Sequence, residues 1–268
     1  MFSTVWRAWQ RKREDSAVSR RAIPDDLWKR TLVRYPFLRW RSADDQVELR
    51  RLTSLFLDRK EFSAAGGLRL SDAIAVSIAA QAVLPVLKLG LARYDGFVGI
   101  VVHPDQVVAR RTVHDEDGLV HEYDETLAGE AVQGGPVMLS WRDVREAGRT
   151  KIAARALGYN VVIHEFAHVL DMADGVADGV PLLAAGLDRR TWLAVLQPQF
   201  EAFCRRVDAG EETALDPYGA SGIDEFFAVA SESFFVDPHG LADEHVALYA
   251  LLARLYRQDP RAWAPAAA

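Results

Sequence analysis

Two histidines stand four residues apart in "HEFAHVLDMADG", residues 164–175, and a glutamate follows the first of them. On an α-helix, positions i and i+4 lie one above the other on a single face. His164 and His168 can therefore present both imidazoles to one divalent ion, and zinc takes such nitrogens readily. Glu165 leaves the helix beside that ion rather than toward it. There its carboxylate can take a proton from an activated water and return it to a leaving amine. This is the HExxH arrangement, and its spacing carries its own chemical reason.

The flanking residues sharpen the reading. Val161, Val162, Ile163, Phe166, Ala167, Val169 and Leu170 are apolar, so the polar positions of this helix are the three motif residues and Asp171. Burying two imidazoles and a carboxylate without partners costs several kcal/mol. A metal ion removes that cost; a hydrogen-bonded structural pair is the bland alternative. Asp171 shares the histidine face, and its expected task is to accept the N–H of a ligating imidazole and hold its tautomer. A catalytic zinc needs a third protein ligand and an open position. "SGIDEFFAVASESFF" offers Glu225 and Glu232, seven residues apart on similar faces of one apolar helix. Chemistry alone does not choose between them. Tyr218, seven residues before Glu225, is a phenol that can donate to a developing oxyanion.

Elements that must position these residues follow from the pattern. The segment "IPDDLWKRTLVRYPFL" reads as a helix with acids in its first turn, and helical rhythm continues over Asp45–Leu57. A Ser/Asp cap opens "SDAIAVSIAAQAVLPVLKLG", whose apolar residues run nearly all round, as in a buried helix. Short apolar runs in "GFVGIVVHP" and "GPVMLSW" read as strands, and "DEDGLVHEYDE" as a charged turn leading into another. From Trp141 onward the pattern is helical: "WRDVREAG", "YNVVIHEFAHVLDMADG" ending near Gly175, and a long amphipathic stretch broken or kinked at Pro198. "GIDEFFAVASESFFVDP" stops at Pro238, and "LADEHVALYALLARLYRQDP" stops at Pro260. The expected fold class is α+β, mostly helical with a small sheet. Residues 1–22 read as a flexible basic arm and 23–263 as a single domain. Its first part, about 23–140, is helix and sheet; its second, about 141–263, carries the HExxH helix.

Bulk properties exclude several classes. Of 268 residues, 50% are hydrophobic and 26% charged, enough to bury one sizeable core. The net charge of −6 shows no basic surface for direct nucleic-acid binding. The single cysteine, Cys204, allows no intrachain disulfide and reads as a small buried or half-buried residue on a helix. No secretory leader or membrane span is expected: the longest uncharged run, Ala73–Leu87, is too short and is interrupted by Pro85. A soluble, cytoplasmic protein is the expectation.

Beyond the HExxH stretch, the later "DGVP", "DPYGASGIDEFFAVASESFF" and the upstream "LPVLKLGLARYDGF", "DGLVH" and "GPVMLSW" resemble the MtfA family. These are zinc-dependent peptidases named as titration factors of the glucose repressor Mlc. The resemblance runs in order over about residues 45–260. It implies a gluzincin-like metallopeptidase core, similar to the catalytic domain of anthrax lethal factor, with one Zn²⁺ per chain. It implies His164 and His168 as ligands, Glu165 as general base and Glu225 as third ligand. The family's "Tyr-Ala-Ala-x-Asp-Pro-Ala-Glu" reads "YGASGIDE" here, which alters the loop and keeps the Tyr-to-Glu spacing. Glu232 then matches a second family glutamate, behind the ligands. His121, in "DGLVH", matches a family histidine associated with zinc as an extra ligand; bound, it would fill the open position and hold the enzyme inactive. The implied activity is aminopeptidase-like hydrolysis of small peptides, and the implied partner is a transcriptional repressor of the Mlc type. The rival class is a non-catalytic protein that sequesters the repressor around a structural zinc. Glu165 argues against it, because a structural site has no use for a base.

Overall fold

The computed structural model of the chain describes residues 12–114, 120–147, 158–183 and 186–265. Helix α1 spans 12–20. Its Glu14 pairs with Arg51 and Arg59, Arg20 pairs with Asp58, and Ala17 is buried. The described part of the expected flexible arm is therefore a docked helix, held by charges that a solvated arm would leave apart.

Helix α2 (Asp25–Arg34) follows Pro24 with Asp25 and Asp26 in its first turn. Helix α3 (Ala43–Arg59) is capped by the Ser42 hydroxyl, which accepts the Asp45 N–H. Helix α4 (Asp72–Ala82) is capped in the same way by Ser71 and is buried over most of its length, as its all-round apolar pattern predicts.

Strands β1 (Glu61–Ala64), β2 (Gly99–His103), β5 (Gly129–Ala131) and β6 (Val137–Ser140) make one sheet in the order β1-β2-β6-β5. β1, β2 and β6 are parallel, and β5 runs antiparallel along β6. Strands β3 (Val107–His114) and β4 (Val120–Leu127) form a separate antiparallel ribbon, from Val107↔Leu127 to His114↔Val120. The apolar runs expected as strands are β2 and β6, and the charged segment is β4. β1, β3 and β5 are not among the expected strands. β1 and β5 are short and lie at sheet edges, with no apolar alternation to announce them, and β3 is defined by its pairing with β4.

The helical half comprises α5 (Trp141–Glu146), α6 (Val161–Asp171), α7 (Arg189–Asp208), α8 (Ile223–Val236), α9 (Pro238–Glu244) and α10 (Val246–Tyr256). Pro198 lies inside α7 without ending it. The last expected helix is two, divided at His245, and Pro238 opens α9 at a position where its missing N–H costs nothing. The architecture is the expected α+β. No described helix is long and apolar enough to cross a membrane.

α6 is clamped from two sides. Its Phe166 ring lies 5.0–5.7 Å, centroid to centroid, from Tyr94, Phe97 and Phe56, tying the helix to the sheet side of the core. Another face packs against α8. α8 is in turn anchored on α7, where Phe226 meets Phe203 at 5.3 Å and Phe227 meets Trp192 at 5.9 Å. These aromatic contacts set the distance between the two helices that carry the chemistry.

Candidate metal centre

Asn160 begins α6: its side-chain oxygen accepts the Ile163 N–H at 3.0 Å, satisfying one of the donors a helix start leaves open. The helix then projects His164 and His168 from one face, with ring centroids 4.8 Å apart. α8 brings Glu225 across to meet them. His164 Nε2 and His168 Nε2 are 3.2 Å apart, and Glu225 Oε2 lies 3.0 Å from the first and 3.3 Å from the second. Among the described residues these three group as potential ligands of one ion. Tetrahedral zinc with bonds of about 2.0–2.2 Å separates its ligand atoms by about 3.3–3.6 Å. The donor set and its spacing fit such an ion with little movement.

Glu232, two turns further along α8, does not join that trio. It is buried, its Oε1 accepts the His164 Nδ1–H at 2.7 Å, and its Oε2 accepts the Asn160 backbone N–H. This contact turns His164 Nε2 toward Glu225. Asp171 sits elsewhere than expected: its Oδ2 accepts the Gly179 N–H at 2.9 Å, and its buried Oδ1 has no hydrogen-bond partner among the described residues. The carboxylate found on a clustered imidazole is thus Glu232. Asp171 instead pins the turn of "DGVP", where Gly179 has φ +73° and a Cβ would fall 2.8 Å from the Ile223 carbonyl oxygen. That close approach sets the start of α8 and with it Glu225.

The ionisable groups of the cluster shift one another. Burial works against a charged His164, but Glu225 and Glu232 outweigh it and hold its pKa well above the usual value. Burial likewise pushes Glu225 up, and the two imidazoles reverse this, holding it below the carboxylate range. Glu165 is 4% exposed, and burial raises its pKa to about 7 against the pull of His164 and His168. A carboxyl poised there can both accept and return a proton near neutral pH.

A cavity of about 420 Å³ opens over this face. His164, Glu165 and Glu232 line it, with Leu127, Val161 and Val229 as apolar walls and Tyr159, Asp216 and Tyr218 as polar ones. Tyr218 stands on a 3₁₀ turn, Pro217–Ser221, is 51% exposed, and its ring centre is 6.0 Å from that of His164. Gly129 of β5 borders the same cavity. The backbone of His121 lies on β4 opposite Val113, six positions from Leu127 and so about 20 Å along an extended strand. Its side chain lies outside the described residues.

A family described as glucose-regulated metallo-peptidase M90 matches residues 6–257. This chain belongs to the M90 family. The M90 chain is 37% identical over 228 residues to Mlc titration factor A of Edwardsiella ictaluri, covering 84% of this chain and 85% of that protein. It is 34% identical over 269 residues to Mlc titration factor A of Klebsiella pneumoniae subsp. pneumoniae, at 98% and 94% coverage. Uncharacterized protein slr2042 of Synechocystis is 32% identical over 257 residues, at 95% and 90%. The M90 chain is therefore a metallopeptidase by family.

Sequence reasoning overlooked Gly129, Asn160 and Gln81, which border or support the cluster. Asn160 carried a signal, a capping residue immediately before an apolar helical run. Gly129 and Gln81 carried none.

Proposed function

We propose that this metallopeptidase hydrolyses peptide bonds with zinc held by His164, His168 and Glu225, and with Glu165 as general base. The observation that carries the reading is the convergence of two imidazole nitrogens and one carboxylate oxygen within 3.0–3.3 Å, beside a buried carboxyl poised near neutrality. Zinc, when bound, supplies Lewis acidity at the scissile carbonyl. Glu165 takes a proton from the attacking water and delivers it to the departing amine. Tyr218, at the mouth of the cavity, donates a hydrogen bond from its O–H to the oxyanion. Glu232 holds the His164 tautomer. β5 offers its edge away from β6 to an extended peptide, which would add as a further strand over Glu165.

The substrates in this reading are small peptides cleaved in an aminopeptidase-like manner in the cytoplasm. His121 acts as an extra ligand if the β3–β4 ribbon folds down over the cavity. The test is turnover of fluorogenic peptides, free and blocked at the amino terminus, with and without a chelator. Glu165→Gln should keep zinc and lose turnover; retained turnover removes Glu165 as the base.

The relatives' name supports a second activity in the same proposal. Mlc titration factor A is named for titrating Mlc, and with 34–37% identity over most of the chain a repressor of that type is a partner for this protein as well. The rival reading keeps that binding and makes the zinc structural. Tight repressor binding with no chelator-sensitive turnover would favour the rival.

A further inference from the structure

Behind the metal face, buried polar side chains link α4 to His164. Gln81 is fully buried on α4, which is otherwise mostly apolar. Its Nε2 donates to the Ser77 carbonyl at 3.0 Å, and its Oε1 accepts from Asn160 Nδ2 at 2.8 Å across 79 residues of sequence. Asn160, also fully buried, uses its remaining polar atoms at the head of α6: Oδ1 caps the helix and the backbone N–H donates to Glu232 Oε2. Glu232 Oε1 then accepts from His164 Nδ1. A buried amide on α4 is costly unless its hydrogen bonds are made, and an apolar residue would pack there without that demand.

We propose that Gln81 and Asn160 are positioning residues of the metal centre. Gln81 fixes the Asn160 side chain, Asn160 fixes the Glu232 carboxylate through its backbone N–H, and Glu232 fixes which nitrogen His164 presents to the ion. Neither Gln81 nor Asn160 borders the cavity. The inference rests on the zinc centre proposed above and concerns this chain's support of it.

The experiment compares wild type, Gln81→Met, Asn160→Ser and the double variant. Met keeps the side-chain length at 81, and Ser keeps a capping oxygen at 160. Zinc dissociation constants are read by chelator competition at one pH, alongside the melting temperatures of the metal-free proteins. Each single variant should bind zinc about tenfold more weakly, the lower end of the range for such outer-shell partners. The double variant should lose no more than the worse single, because one chain is cut twice. Lower melting temperatures with unchanged zinc affinity, or losses that add, would overturn the proposal. A wild type that holds no zinc would overturn the metal centre itself, a distinct result. Should Asn160→Ser fail to fold, nitrogen NMR of His164 in zinc-loaded Gln81→Met decides. A weakened Nδ1–H hydrogen bond supports the chain, and an unchanged one overturns it.

Discussion

Gly129 on β5 lies directly against Glu165 on α6: a Cβ at Gly129 would fall 2.5 Å from Glu165 Oε1 and 2.7 Å from its Cγ. The absence of a side chain at one strand position thus makes room for the carboxylate that faces the cavity. Ala131 on the same strand supplies a backbone N–H that favours the ionised form of Glu165. Gly129→Ala must displace the carboxylate. Its kcat/KM should fall about a hundredfold, the usual cost of misplacing a reacting group by about 1 Å. Zinc content should stay at the wild-type level by metal analysis.

Glu165→Gln removes the proposed base and little else. Turnover should drop about 10²- to 10⁴-fold while zinc is retained. The wild-type pH profile carries the same information. Burial raises Glu165 to about 7, a bound cation draws it down, and a base works only when ionised. The kcat/KM profile should therefore rise with pH along a limb at or below about pH 7. A profile falling over that range would contradict the assignment.

Phe166 tests the clamp rather than the chemistry. It is fully buried against Phe56, Tyr94 and Phe97 on the opposite side of α6 from His164 and His168. Phe166→Ala should destabilise the fold by about 3–5 kcal/mol in urea denaturation, since the cavity left among three rings cannot close fully.

His245 supplies a pH dependence away from the His164–His168 cluster. It is 5% exposed between α9 and α10, its ring 6.3–6.4 Å from those of Phe226 and Phe203. Burial lowers its pKa below the usual 6.5; Glu244 opposes this and Arg206 adds to it. Below pH 6.5 the unfolded chain therefore binds the proton more readily than the folded one. The stability His245 contributes is present above that pH and is lost as pH falls through the lowered value. Melting temperature measured from pH 7.5 to 5 should fall less steeply in His245→Gln than in wild type. Equal slopes would show that another group carries the loss.

Local sequence was sufficient wherever the relevant interaction spans a few residues. The i, i+4 spacing of His164 and His168, the apolar positions around them, and Glu165 beside them follow from helix geometry and nothing more. The caps at Ser42 and Ser71 and the apolar strands β2 and β6 are local in the same sense. Tertiary structure decided what distance along the chain conceals. Glu225 and Glu232 are both carboxylates on one helix, and spacing offered no choice between them. The packing of Phe226 and Phe227 against α7 set α8 so that Glu225 faces both Nε2 atoms and Glu232 reaches Nδ1. Asp171 shared the histidine face by periodicity, yet the turn at Gly179 claimed its oxygen. β5 carries no pattern of its own, because a three-residue edge strand is specified by the neighbour it pairs with. Covalent spacing places side chains within a turn of one another; which groups meet across 57 or 68 residues depends on how the apolar faces of separate helices pack.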